Sequence, residues 1–234
     1  MSLIEIITIC IVFLILFLPF IFDYIKYKKS AYYKITKNSY GLLLTDKGLR
    51  GEYSIYKKLK NLEDTGAKFL FNLYIPTYKN KTTEIDIIMI CNCGVFVFES
   101  KNYSGWIFGS DNRKFWTQSL HVGYGITQKE HFYNPIWQNE THIKYLKKII
   151  GEEYPIHSIV VFSSRCELKN INTNYSETIV TNDYYLNNVV NNIFENPCPR
   201  LLTNYEINQL YLKLYEYSQV TDDIKCQHVR DMIR

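Results

Sequence analysis

The sequence has little of what staples or punctuates a chain. Its 234 residues include 10 glycines, 6 prolines and 6 cysteines, and it has no internal repeat and no long low-complexity stretch, so repeat arrays and biased linkers are set aside. The cysteines (Cys10, Cys91, Cys93, Cys166, Cys198, Cys226) form no CxxC pair and no Cys/His cluster. A zinc site is therefore not indicated. Cys91 and Cys93 are too close for an easy disulfide, and the cysteines are expected to be reduced and packed as small apolar residues. Strong charge is also missing. A net charge of +4 does not by itself argue nucleic-acid binding. Tyr, Asn, Ile and Lys are abundant, a bias that needs no functional cause.

One long apolar run is present. Leu3 to Phe22 reads L-I-E-I-I-T-I-C-I-V-F-L-I-L-F-L-P-F-I-F. Twenty helical residues at ~1.5 Å each cover about 30 Å, the thickness of a bilayer core. No base precedes the run and no small residues close it, unlike a cleaved leader. Residues 1–22 are expected to be a single-pass transmembrane signal-anchor helix. Lys26, Lys28, Lys29, Lys34 and Lys37 follow with no acid between Tyr24 and Ser39. This pattern predicts a cell-membrane protein whose C-terminal domain is cytoplasmic, with the lysines near anionic lipid. Residues 23–44 are expected to be a basic juxtamembrane linker.

The remainder, residues 45–217, suits one domain with a sizeable core, followed by a loose polar tail over 218–234. Asp46–Leu62 predicts a helix with Asp46 as N-cap. Ile55, Tyr56, Leu59 and Leu62 form its apolar face, and Glu52 projects from that same face. Gly48 and Gly51 beside it would admit another backbone or a phosphate. A strand follows over 68–75, then a polar turn over 78–82 with Lys79 and Lys81. A hairpin over 83–101 turns at Asn92 and Gly94, and short antiparallel strands flank 110–112. Residues 119–133 read as irregular. Asn134-Pro135 opens a helix to Gly151, with Gln138 and His142 on one partly apolar face. A strand over 156–162, a loop around Arg165, a strand near 178–181 and helices near 183–192 and 204–217 complete the domain. The pattern predicts an α/β fold with a small mixed β-sheet flanked by helices.

The hairpin carries the chemistry. T-E-I-D-I-I-M-I and V-F-V-F-E-S-K are almost wholly apolar, yet they hold Glu84, Asp86, Glu99 and Lys101. Alternate strand residues share a face. Strands this apolar are normally buried on both faces, where a charge needs a partner or a metal. Two carboxylates ~4 Å apart repel by about 4 kcal/mol at an effective dielectric of ~20, so one is protonated or a divalent cation holds both. Hard oxygen ligands suit Mg2+ or Mn2+. A lysine on the same face can orient a water or stabilise charge on a phosphate. Glu84 reads as structural, His142 as packed, and Trp106 and Trp116 as packing anchors.

G-L-R-G-E (48–52), T-E-I-D (83–86), G-V-F-V-F-E-S-K-N-Y-S-G (94–105), Trp116 with Gln118, and N-P-I-W-Q (134–138) followed by His142 together resemble the NERD (nuclease-related) domain of the PD-(D/E)xK nuclease superfamily. The resemblance implies a restriction-endonuclease-like core. It also implies Asp86 and Glu99 as ligands of Mg2+ (or Mn2+), Lys101 as the catalytic lysine, and Glu52 and Gln138 as further site residues. The expected function is a membrane-anchored nuclease acting on nucleic acid, DNA in the first place. The alternative is a catalytically silent nuclease-like module that binds nucleic acid or a protein at the membrane.

Overall fold

The computed structural model describes residues 3–78, 81–123 and 125–233; Lys79 of the expected polar turn lies outside them. The apolar N-terminal run is helical as its composition dictates: α1 spans Leu3–Lys29, with Glu5 in the first turn and Lys26, Lys28 and Lys29 in the last. Its described apolar side chains, such as Ile15, Phe20 and Phe22, are exposed. Among the described residues, however, no helix is long and apolar enough to cross a membrane, so the transmembrane helix expected over 1–22 is not shown. The helix does not stop at Phe22 but continues through Asp23 and three lysines, and the side chains at 9–11, 13 and 14 lie outside the described set.

The segment expected as a linker holds two short helices, α2 (Ala31–Thr36) and α3 (Tyr40–Thr45), each started by a serine N-cap, Ser30 and Ser39. A cap side chain accepts from an otherwise orphaned backbone N–H, which makes even a six-residue helix tenable. These helices bury Tyr32, Ile35 and Leu43. The Tyr32 ring meets Phe71 edge-on, so the segment is packed into the core rather than strung beside it. Asp46 caps α4 (Lys47–Leu59) by accepting from Leu49 N. α4 ends at Leu59 and passes into a 3-10 turn closed by Gly66 at positive φ, three residues before the expected end.

Two mixed sheets stand where one was expected. The first has five strands: β1 (Lys68–Pro76), β2 (Thr82–Cys91), β3 (Gly94–Lys101), β7 (Ile156–Phe162) and β9 (Ile179–Asn182), in spatial order β1-β2-β3-β7-β9. β2 pairs antiparallel with both β1 and β3, whereas β3, β7 and β9 run parallel. The second sheet has the order β6-β5-β4-β8, from β4 (Gly105–Ser110), β5 (Phe115–His121), β6 (Thr127–Tyr133) and β8 (Cys166–Asn172). β5 and β6 replace the irregular 119–133 segment, and β8 follows the Arg165 loop. Both β6 and β8 are mostly exposed edge strands, and without an alternating apolar side they carry no sequence signal.

α5 (Pro135–Ile150) starts at Asn134, as its N-cap and N1 proline predict. α6 (Leu186–Glu195) and α7 (Asn204–Ser218) complete the cover, and the tail contains a further helix, α8 (Asp222–Ile233). Of the cysteines, Cys91, Cys166 and Cys226 are free, but Cys93 and Cys198 are joined in a disulfide with Cα atoms 5.6 Å apart. The expectation of reduced cysteines fails for this pair, because a partner 105 residues away cannot be read from local spacing.

Candidate active site

β2 and β3 pair antiparallel through Ile87 and Phe98. This register brings Asp86, one residue before Ile87, beside Glu99 and Ser100, just after Phe98. The Ser100 backbone N–H donates to Asp86 Oδ2 at 2.8 Å. Glu99 is almost fully buried and each of its oxygens has a partner. Lys101 Nζ lies 2.7 Å from Oε1, and His142 Nε2 lies 3.1 Å from Oε2. A carboxylate only accepts, so His142 Nε2 carries the proton. In the neutral ring Nδ1 then accepts from the Thr83 hydroxyl, 2.7 Å away. Lys101 Nζ also donates to Gln138 Oε1 at 3.0 Å. α5 thus supplies two side chains one helical turn apart, Gln138 and His142, to the face of β3 that carries Glu99 and Lys101.

α4 and β1 form the other side. Glu52 Oε2 accepts from Tyr32 Oη at 2.9 Å and Asn72 Nδ2 at 3.1 Å. Glu84 Oε1 accepts from Tyr74 Oη at 2.8 Å and Asn72 Nδ2 at 3.4 Å. Asn72 does this from a left-handed backbone, with φ of 50°. The β1–β2 ladder passes from Phe71–Ile87 to Leu73–Ile85 without pairing Asn72 with Asp86. Such an irregularity re-aims a side chain, here the one amide in the stretch 69–75. From α8, His228 Nδ1 donates to the Thr82 carbonyl at 3.1 Å, and Nε2 lies 3.8 Å from Glu84 Oε2. α4 comes close to β3 because of Gly51, where a Cβ would lie 2.6 Å from Ser100 Oγ. Glu52, Glu84, Asp86, Glu99, Lys101 and Gln138, with His142 and His228, line a cleft of about 510 Å3, and Tyr32, Asn72 and Tyr74 support its acids from behind.

A model of the nuclease-related domain, NERD, matches residues 47–163. The chain belongs to the NERD family. It is also 34% identical over 184 residues to an uncharacterized protein of Bacillus anthracis, covering 79% of this chain and 82% of that one. No solved structure matches significantly. The five residues singled out from the sequence, Glu52, Asp86, Glu99, Lys101 and Gln138, all line this one cleft, four of them on the hairpin or α5 and one on α4. Within the NERD region Asn72, Tyr74 and Thr83 join the network beyond the expected residues, and His142, expected to be packed, is buried and also bonds Glu99. Tyr32 and His228 reach the cleft network from outside the matched region, and neither carries a local signal.

The electrostatics divide the cleft. Burial pushes the Glu52 carboxyl up to about 7, and nearby Glu84 adds to the effect against the Tyr32 and Asn72 donors. Asp86 is raised well above the usual carboxylate range by burial, then by the charges of Glu99 and Glu52. Burial also acts upward on Glu99, but Lys101 and His142 outweigh it and hold Glu99 below its ordinary value. Burial alone would lower Lys101; Glu99 and Asp86 reverse that, so it stays charged. Among the described residues, no group of three or more His, Cys, Asp or Glu side chains is arranged to hold a metal ion. The donor set near Asp86 is nonetheless hard oxygen with an excess of acid, which suits Mg2+ or Mn2+ better than a softer ion.

Proposed function

We propose that this NERD domain hydrolyses phosphodiester bonds of DNA with Mg2+ or Mn2+, as a member of the PD-(D/E)xK group. The observation that carries this reading is a charged lysine, Lys101, held between Glu99 and Gln138 at a cleft shared with the buried carboxyl of Asp86. Asp86 and Glu99 would hold the cation, which would neutralise charge on a bound phosphate. The chain's own groups do the rest. Glu99 fixes the Lys101 ammonium, and Gln138 restricts its swing. The ammonium stabilises negative charge growing on a phosphoryl oxygen or orients the attacking water. His142, itself held by Thr83, keeps Glu99 in place. Plasmid cleavage by the full chain with Mg2+ or Mn2+ tests the reading. Loss of cleavage in Asp86→Ala and Lys101→Ala supports it, and variants that cut as well as wild type defeat it.

One observation favours a second reading, a silent module that binds nucleic acid or a protein. Both Glu99 oxygens are already engaged within the protein, so an ion there must share an oxygen with Lys101 or His142 and bear the repulsion of the charged lysine. Absence of any cleavage, together with no Mg2+ affinity by calorimetry, would select this reading.

We further propose that the chain works at a membrane. The exposed apolar side chains of α1 end at a cleft of about 760 Å3 lined by Lys26, Lys29, Arg50, Lys57, Lys58 and Lys60, a charge that favours anionic lipid. The lysines favour a cytoplasmic domain, whereas the Cys93–Cys198 link favours an oxidising side. Labelling of exposed Cys226 in intact cells by an impermeant thiol reagent distinguishes the two.

A further inference from the structure

The carboxyl ends of β3, β7 and β9 lie side by side, because these three strands are parallel. In open α/β sheets, ligand crevices form outside such ends. A crevice of about 280 Å3 opens there, between Lys101-Asn102, Ser163–Arg165 and Asp183, with Arg50 and Ser54 of α4 on its other wall. A second hollow of about 440 Å3 adjoins it and adds Lys47 and Gly48. Ser100 and Lys101 line both of these and the acidic cleft as well. The three cavities therefore meet at Ser100 and Lys101, the acidic one on one side of Lys101 and the two basic ones on the other.

The basic arm is built rather than incidental. Arg165 Nη2 donates to both the carbonyl and the Oδ1 of Asn102, at 2.9 and 2.7 Å. Asn102 Nδ2 in turn donates to the Lys47 carbonyl. With Arg165 Nε donating to Ser163 Oγ at 3.4 Å, this chain of contacts fixes a guanidinium at the mouth and leaves its Nη1 group to meet a ligand. Asp183 is the one acid in the smaller crevice. Its oxygens are held by the Ser164 backbone N–H at 3.1 Å and the Ser54 hydroxyl at 3.2 Å, and Arg50, Lys101 and Arg165 outnumber it in the lining. In the adjoining hollow Glu130 is the acid, set against Lys47, Lys101 and Arg165.

We propose that this crevice is a backbone-phosphate subsite, in which Arg165 and Arg50 hold a phosphate of the nucleic-acid strand beside the one presented to Asp86, Glu99 and Lys101. The proposal rests on the nuclease reading and names how that site grips its substrate. Arginine suits the task because its planar fork meets two phosphate oxygens at once. Phosphate contacts position a strand without reading its sequence.

The test is binding of a fluorescent oligonucleotide to the full chain in EDTA, followed by anisotropy between about 50 and 200 mM salt. Arg165→Ala and Arg50→Ala should each weaken binding roughly tenfold and reduce the salt slope by about 0.7–0.9. Arg165→Lys should keep the slope while losing part of the affinity. In cleavage, Arg165→Ala should raise KM and leave kcat unchanged. An unchanged slope and affinity in both alanine variants overturn the subsite. Asp86→Asn separates the two ideas. If it cleaves like wild type while the arginine variants lose their slopes, the nuclease reading fails and the binding path stands. If it is inactive and the slopes do not move, only the subsite fails.

Discussion

The two sides of the acidic cleft solve the same problem in opposite ways. Glu99 and Glu52 are both buried carboxylates, one on a strand and one on a helix. Glu99 is surrounded by Lys101 and His142 and keeps its charge. Glu52 has only the neutral donors Tyr32 and Asn72, and its carboxyl retains a proton up to about 7. A buried acid needs either a cation or a proton, and here the choice is made by which residues stand opposite. The charged side is suited to chemistry near neutral pH. The protonated side is a reserve of negative charge, released as pH rises or as a cation arrives.

The comparison breaks most severely at the charged side. Glu99→Ala leaves Lys101 buried without its acid, a change that typically costs 3–5 kcal/mol. Urea denaturation should show a loss of about that size, with cleavage abolished. Lys101→Ala should cut kcat on the order of 100-fold or more, since one charge-stabilising donor is commonly worth that much. At the other side, Glu52→Gln should be stabilising at alkaline pH. The folded carboxyl titrates at about 7 against an ordinary 4.5, so the native state holds more protons than the unfolded chain between those values. Stability therefore falls as pH rises through that window, by up to ~3 kcal/mol. A glutamine side chain cannot ionise, so the variant's unfolding midpoint should stay flatter from pH 5 to about 8, and a wild-type decline no steeper than the variant's would contradict the shift. Mg2+ affinity measured by calorimetry should rise with pH, because the Asp86 carboxyl, raised above its ordinary range by burial and by Glu99, must lose its proton to bind. The smallest effect belongs to Tyr32→Phe, which removes one donor to Glu52. It should cost roughly 1 kcal/mol at high pH and less at low pH, where the acid is already neutral.

Much of this division is readable in the residues. Asp86, Glu99 and Lys101 stand out because charge is rare in apolar strands, and Gln138 because helical spacing puts it on an inward face. The hairpin and α5 follow from Asn92-Gly94 and Asn134-Pro135, whose turn and cap chemistry is local. What escaped depends on distance or on exposure. His228 reaches Thr82 across 146 residues, Cys93 finds Cys198 across 105, and the exposed strands β6 and β8 owe their pairing to a neighbour rather than to their own pattern. Asn72 is the instructive omission, since a lone amide in K-F-L-F-N-L-Y-I is as conspicuous as an acid. Its role depends on a backbone turn that alternation rules do not foresee.

That turn has a mechanical consequence. A sheet resists shear through its rows of hydrogen bonds, and β1 drops one row directly opposite Asp86 while its flanking residues Phe71 and Leu73 stay locked in the core. The strand thereby acquires a compliant joint between two stiff lengths. The break frees the Asn72 amide from the strand's alternation, so one side chain ties the helix acid Glu52 to the strand acid Glu84 beside Asp86 while the aromatic core on either side stays packed.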